Sequence, residues 1–209
     1  MKLYDMKQAP NPRRLRMFLA EKGIEIETVQ VDIPSGENLS DEFKAINPRG
    51  LLPTLVLDDG TVIDESVAIS RYFEQTHPEP NLMGTDAKSM ALIESAERHM
   101  EFDGLLSVAE AFRNSNPVFA NRATQGTDGV QAIEALVERG RNGTARFFAS
   151  LDATLADSRY VAGETFSIAD ITAFCVVDFA KWTGMRLGDD HPNAQRWYAE
   201  VAARPSAQA

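Results

Sequence analysis

The sequence predicts an α/β domain followed by an all-helical domain. Short alternating apolar patterns and helical patterns follow one another along the first part of the chain, and the order they predict is βαβαββα. A segment rich in Pro, Gly and Asn comes next, and the patterns after it are helical. The predicted boundaries are 1–78 for the first domain, 79–87 for a linker and 88–209 for the helical domain.

The first domain contains four predicted strands and three predicted helices. The strands are expected at 2–6, 29–33, 53–57 and 61–63, and the helices at 12–22, 41–46 and 66–77. Pro12 is typical of a helix start, and Gly23 is typical of a helix end. The run Asp58-Asp59-Gly60 predicts a hairpin turn, because glycine tolerates positive φ.

In the second domain, Ser167 and Asp170 have the spacing of a capping box, and Phe166 and Ile171 flank them as a hydrophobic staple. This pattern predicts a helix that starts at that point. Cys175 has apolar neighbours and is expected to be buried and unreactive. Three aromatic residues are expected in the core rather than in a substrate pocket: Phe112, Phe179 and Trp182.

Composition excludes several classes of function. The net charge of −10 makes nucleic acid an unexpected partner, because phosphate binding needs clustered cations. No apolar run is long enough to cross a bilayer, and no secretory leader is evident. The single cysteine leaves no internal disulfide and no C-x-x-C dithiol, which favours a reducing, cytoplasmic location. The three histidines lack ligand spacing, so no metal is expected.

Three features of the first domain indicate a binding site. A helix starts near Asn11, Pro53 opens a strand after Leu52, and Glu65-Ser66 stand where a helix directly follows a strand. Free N–H groups and the helix dipole make such a helix start a carboxylate site. A glutamate beside it can hold an ammonium group, so together they fit an amino acid zwitterion.

Asn11 allows two interpretations. It can be a plain N-cap, since Asn satisfies the free N–H groups of a first turn, or its amide can contact a ligand. Three arginines follow it, and they are expected to form a solvated helix face: Arg13, Arg14 and Arg16.

The stretch NPRGLLPTLVLDDGTVIDESVAISRYF resembles the glutathione-binding half of cytosolic glutathione transferases. YVAGETFSIADITAF and RWYAEVAARPS resemble the C-terminal domain of that family, so the resemblance covers essentially the whole chain. The resemblance is strongest to atypical yeast-type and Nu-like bacterial members of the family, which lack a catalytic Tyr, Ser or Cys in the first loop. It implies a thioredoxin-like N-terminal domain, an all-helical C-terminal domain and a C2 homodimer.

The resemblance implies roles for individual residues. The backbone of Leu52 would pair with the cysteinyl unit of glutathione, with a cis bond at Pro53. Glu65 and Ser66 would take the γ-glutamyl end, and Asn11 would face the sulfur.

Two departures from the family pattern concern the glycyl end and the second domain. Asn38 would lie near the glycyl carboxylate, but Leu51 stands where many relatives have Lys, so Arg49 or another group would hold that carboxylate. The yeast-like branch also has a Ser and a His that position a water at the sulfur. In the matching stretch LLSVAEAFRNSNP no His is present. The candidate positions there are Ser107 and either Arg113 or Asn114.

Two functions remain open from the sequence. The first is an enzyme that activates glutathione as a thiolate and transfers it to a hydrophobic electrophile, or exchanges it with a disulfide. The second is a non-catalytic glutathione-binding or assembly module. Ala9 in the first loop and the missing His favour the module, whereas the intact Leu52-Pro53 and Glu65-Ser66 pairs favour retained binding.

Overall fold

The computed structural model describes all 209 residues. Four strands form one mixed sheet in the order β2-β1-β3-β4, where β2 runs parallel to β1 and the other neighbours are antiparallel. The strands are β1 (Lys2–Asp5), β2 (Glu27–Gln30), β3 (Thr54–Val56) and β4 (Val62–Asp64). The helices of this domain are α1 (Pro10–Lys22), α2 (Asp41–Lys44) and α3 (Ser66–Thr76). The order is βαβαββα, and the domain is thioredoxin-like, as predicted.

Three elements differ from their predictions by two or more residues, and one of them is α1, which starts at Pro10 rather than Pro12. β2 was expected at 29–33 but ends at Gln30, because its register with β1 ends at the pair Asp5↔Gln30. Val31 still donates its N–H to the Asp5 carbonyl at 2.8 Å, and the chain then turns away through Gly36 at φ 88°. α2 ends two residues before its predicted end at 46, since the N–H of Ile46 donates to Phe43 in a tighter turn.

The second domain is entirely helical. Its helices are α4 (Ala87–His99), α5 (Leu106–Ser115), α6 (Glu134–Ala156), α7 (Ile168–Ala180) and α8 (Pro192–Ala202). A π-helical segment, Met100–Leu105, joins α4 to α5 without a break. No helix combines the length and the apolar character that a bilayer crossing requires.

α7 is the central helix of this domain, and nearly all of its residues are buried. The predicted capping box is confirmed, because the Asp170 carboxylate accepts the N–H of Ser167 at 2.9 Å. The same carboxylate accepts the N–H of Val161 and the indole N–H of Trp197, both at 2.9 Å. Cys175 is buried as predicted, and burial raises the pKa of its thiol to about 12.

α1 lies between the sheet and α7, so a single apolar core continues across both domains. The prediction that its arginines form a solvated face is wrong. Arg14 is buried, and Arg13 pairs with Asp178 of α7 at 2.5 Å. Arg16 pairs with Asp5 of β1 at 2.6 Å. Acidic side chains of the neighbouring elements compensate the charges of the arginines, and this pairing allows the arginines to be buried.

Candidate active site

A cavity of about 440 Å³ lies between the two domains. The N-terminal domain supplies one wall from the loop after β1, the start of α1, and parts of the segments 32–39 and 50–52. The C-terminal domain supplies the other wall from α5, the segment after α5 and the region around the end of α7. The start of α1 therefore faces a pocket that both domains build.

The start of α1 has few free donors. Ala9 is the N-cap and its side chain makes no capping hydrogen bond. Pro10 and Pro12 have no N–H, and Arg13 donates its N–H to the Ala9 carbonyl at 3.1 Å. The N–H of Asn11 is thus the one donor of this first turn that has no acceptor in the chain.

Asn11 is not the N-cap, so that interpretation is wrong. The helix starts one residue before it, and its side chain points to a different partner. Its Oδ1 accepts a hydrogen bond from Arg14 Nη1 at 2.9 Å. A guanidinium can only donate, which assigns the oxygen to this contact and leaves the Nδ2 amide without a partner in the chain. Asn11 lines the cavity.

Arg14 is held in turn by a buried polar cluster from α4, the π-helical segment after it, and α7. Its Nη2 donates to Glu97 at 2.5 Å and to Glu101 at 2.6 Å, and its Nε donates to Thr172 Oγ1 at 2.9 Å. The Thr172 hydroxyl donates to Glu97 at 2.8 Å. Burial raises the pKa of Glu97 to about 7, against the opposing effect of Arg14. The orientation of Asn11 therefore depends on three helices.

The sequence analysis missed this cluster, although a signal was present. Glu97 lies one turn after Ile93, and both are buried on the same face of α4. An acidic residue on an apolar helix face needs a partner, because an unpaired buried charge is costly. The identity of that partner as Arg14 came only from the structure.

Glu65 and Ser66 lie at the start of α3, next to the start of α1. Ser66 Oγ donates to the Asn11 carbonyl at 3.2 Å. Glu65 has φ 69°, the one positive value at a residue other than glycine. Backbone strain of this kind concentrates at ligand sites and costs about 1–3 kcal/mol. Neither side chain lines the cavity, so this pair adjoins it rather than forming its wall.

Leu52 lines the cavity and is followed by the cis peptide bond to Pro53. Neither the N–H nor the carbonyl of Leu52 has a hydrogen-bond partner in the chain. These two groups are therefore free to pair with an extended peptide, as the unpaired edge of a sheet does. Pro53 itself does not face the cavity.

Asn38 and Arg49 differ in what they offer. Asn38 is 5% exposed, its Nδ2 donates to the Gly50 carbonyl at 2.8 Å, and its buried Oδ1 has no partner. Asn38 is one of the residues that line the cavity. Arg49 lies outside the cavity, where its Nη1 contacts Glu65 at 2.6 Å and Asp64 at 3.3 Å. Two carboxylates thus already occupy the Arg49 guanidinium.

The opposite wall of the cavity is aromatic. Phe179 belongs to the core as predicted, but the prediction that Phe112, Phe179 and Trp182 do not line a pocket is wrong, because all three line the cavity. Their ring centroids are 5.2–5.5 Å apart in edge-to-face and tilted contacts. Each ring packs on the others and still offers a surface to the cavity, so one cluster is both core and wall.

The residues of the second domain that were candidates to position a water at the sulfur do not all face the cavity. Ser107 packs against Gly143 of α6, where a Cβ would come within 2.4 Å of its hydroxyl oxygen, and it does not line the cavity. Asn114 accepts the N–H of Ile133 at 2.9 Å and holds the chain after α5. Arg113 lines the cavity. No group of three or more His, Cys, Asp or Glu side chains is placed to hold a metal ion.

Comparison with known proteins identifies the family. The model of the glutathione S-transferase N-terminal domain matches residues 9–76, and that of the C-terminal domain matches residues 91–205. The chain belongs to the glutathione S-transferase family. It is 29% identical to glutathione S-transferase 2 of Saccharomyces cerevisiae over 99% of this chain and 87% of that protein. It is 30% identical to glutathione S-transferase 3 of Zea mays over 100% of this chain and 91% of the relative.

Solved structures show the same fold. A glutathione S-transferase domain-containing protein of Marinobacter aquaeolei superposes with a TM-score of 0.91 at 31% identity, covering 99% of each chain. Gtt2 from Saccharomyces cerevisiae superposes with a TM-score of 0.92 at 29% identity, covering 100% of this chain and 99% of that one. A class Gtt2 transferase of Vibrio parahaemolyticus reaches 0.85 at 34% identity, covering 100% and 96%.

Proposed function

We propose that this protein binds glutathione with its sulfur at the start of α1 and transfers the thiolate to an electrophile in the cavity. The observation that carries the proposal is the pair of unused donors on Asn11, its N–H and its Nδ2 amide, at the wall of a pocket built by both domains. No tyrosine, serine or cysteine lies in the first loop.

These donors suffice to activate a thiol. A free thiol has a pKa of about 8.5, and lowering it by about two units requires about 2.7 kcal/mol of preferential binding to the anion. A helix N-terminus contributes about 0.3–2 kcal/mol, and a hydrogen bond to a charged group about 1.5–3 kcal/mol. On binding, the thiol proton passes to solvent. With an aryl halide the sulfur would then form the C–S bond, and the halide would leave with its electron pair.

The tripeptide has a complementary set of groups along the N-terminal domain. The free N–H and carbonyl of Leu52 support antiparallel pairing with the cysteinyl unit. The start of α3 at Ser66 suits the γ-glutamyl carboxylate, and Glu65 suits the ammonium group. Asn38 lines the cavity beside this segment and suits the glycyl end of the peptide.

The acceptor side is apolar. Phe112, Phe179 and Trp182 supply aromatic faces, which favour a hydrophobic and preferably aromatic electrophile or a disulfide that carries such a group.

We also propose a homodimer in a reducing, cytoplasmic compartment. Support for the dimer comes from three exposed apolar side chains on the continuous helix formed by α4, the π-helical segment and α5: Leu92, Phe102 and Leu106.

Retention on immobilised glutathione, followed by turnover with aryl halides and mixed disulfides, tests the proposal. Binding with turnover of aryl halides supports the transferase, and turnover of disulfides alone supports disulfide exchange. Binding without turnover of any substrate would instead favour the non-catalytic module. Failure to bind glutathione at all would contradict the transferase and would leave only the assembly module.

A further inference from the structure

Two arginines of the helical domain lie at the cavity without a carboxylate partner. Arg113 lies on α5, Arg122 lies between α5 and α6, and both line the cavity. Their guanidinium carbons are 4.4 and 5.7 Å from the centroid of the Phe119 ring. Both cations therefore lie close to one aromatic ring in the wall of the pocket.

Both guanidiniums are held by backbone carbonyls alone. Arg113 donates to the carbonyl of Ala123 at 3.0 Å and to that of Arg122, and its Nη1 has no partner in the chain. Arg122 reaches the other domain and donates to the carbonyls of Ile33 at 3.0 Å and Pro34 at 2.7 Å. Carbonyl oxygens fix the position of a guanidinium and leave its positive charge uncompensated.

This arrangement is exceptional in the chain, whose net charge is −10. The other arginines that are buried or half-buried each pair with a carboxylate: Arg13, Arg14, Arg16, Arg98 and Arg204. The acidic residue that lines the cavity, Asp32, accepts the N–H of Ser35 within its own turn. Burial and the neighbouring Arg122 lower the pKa of Arg113 to about 10, so the Arg113 side chain is charged at neutral pH.

We propose that Arg113 and Arg122 form a subsite for a carboxylate of the ligand in the cavity. The unpartnered Nη1 of Arg113 can donate a charge-assisted hydrogen bond to a carboxylate oxygen, and the adjoining Phe119 ring provides an apolar face for the group that bears the carboxylate. The subsite rests on the proposed function only for the identity of that ligand.

Two carboxylates have the required chemistry. One is the glycyl carboxylate of glutathione. Arg122 Nη1 lies next to Gly36, where an added Cβ would be 3.2 Å away, so Arg122 borders the wall of the cavity that contains Asn38. Arg49 is already paired with acidic neighbours, and Leu51 carries no charge, so Arg122 is the cation on this side of the cavity. The other is a carboxylate on an aromatic acceptor stacked beside Phe119.

The experiment compares ligands that differ only in this charge. Binding of dinitrobenzoate and of its uncharged amide, dinitrobenzamide, is followed by quenching of Trp182, which lines the cavity, with Trp182→Phe as the blank. In parallel, calorimetry compares S-methylglutathione with the same peptide amidated at its glycyl carboxylate. Both pairs are measured in wild type, Arg113→Gln, Arg113→Lys and the control Arg141→Gln, an exposed arginine of α6 that forms no ion pair.

Wild type should prefer the charged member of at least one pair by about ten-fold, the scale of one hydrogen bond between charged groups. Arg113→Gln should abolish that preference, Arg113→Lys should restore part of it, and Arg141→Gln should keep it. Loss in the glutathione pair assigns the subsite to the glycyl carboxylate, and loss in the benzoate pair assigns it to the acceptor.

Unchanged preferences in Arg113→Gln, or equal loss in Arg141→Gln, would overturn the subsite. The dinitrobenzoate measurement needs no glutathione, so the subsite can stand even if the proposed transferase function fails. Conversely, tight glutathione binding with no charge preference would leave the proposed function intact and remove the subsite.

Discussion

Replacing Glu97 by Gln should change how the stability of the fold depends on pH. Glu97 is 0% exposed, and burial raises its pKa from 4.5 to about 7. The folded state therefore holds a proton on this group that the unfolded state releases. The stabilisation linked to that proton is complete below pH 4.5 and is lost as the pH rises through about 7. The difference of roughly 2.5 pKa units corresponds to about 3 kcal/mol.

Urea unfolding of wild type and Glu97→Gln between pH 4 and pH 8 measures this loss. The variant cannot titrate at position 97, so the wild type should lose about 3 kcal/mol relative to it across this range. Glu94→Gln is the matched control, since Glu94 lies on the same helix and is partly exposed. The reasoning would be refuted if the difference in unfolding free energy between wild type and Glu97→Gln stayed constant with pH. It would also be refuted if the difference between wild type and Glu94→Gln changed with pH by the same amount.

Three further predictions concern the fold and the site. Asp170→Ala should destabilise the protein by at least about 3 kcal/mol in thermal or urea unfolding, because the N–H donors of Val161, Ser167 and Trp197 lose their acceptor. A loss below 1 kcal/mol would contradict this. Ser66→Ala should weaken glutathione binding in calorimetry by about 1–2 kcal/mol, since the backbone N–H remains. Glu65→Gln should weaken it more, by removing the partner of the ammonium group, and an affinity unchanged from wild type in both variants would remove the proposed γ-glutamyl site.

The fold was predictable because its signals are local. Alternating residues, the Asp58-Asp59-Gly60 turn and the capping box at Ser167 each specify a short stretch of backbone. β2 was misplaced because its limits depend on pairing with β1, a contact between residues far apart in the sequence. The helix start was misplaced by two residues because both Pro10 and Pro12 fit a first turn.

The lining of the cavity was predictable only where a helix start or a proline marked it, at Asn11 and Leu52. The arginines after Asn11 resembled a solvated face because their acidic partners lie on α4, α7 and β1. Phe112 and Trp182 resembled core residues because helical spacing does not distinguish a wall that faces a cavity from one that faces another helix. Both errors concern what lies opposite a helix face, which depends on how the two domains pack.

The most direct test of the account is the pKa of the glutathione thiol in the binary complex, read from the ultraviolet absorbance of the thiolate. The account predicts a value well below the free value of ~8.5 in wild type. Asn11→Ala should raise the bound pKa by about 1–2 units, the equivalent of one hydrogen bond to an anion, and Ala9 remains the N-cap of α1 in this variant. Asn11→Asp should raise it at least as far, since its carboxylate repels the thiolate. A bound thiol pKa that is the same in wild type, Asn11→Ala and Asn11→Asp would contradict the account.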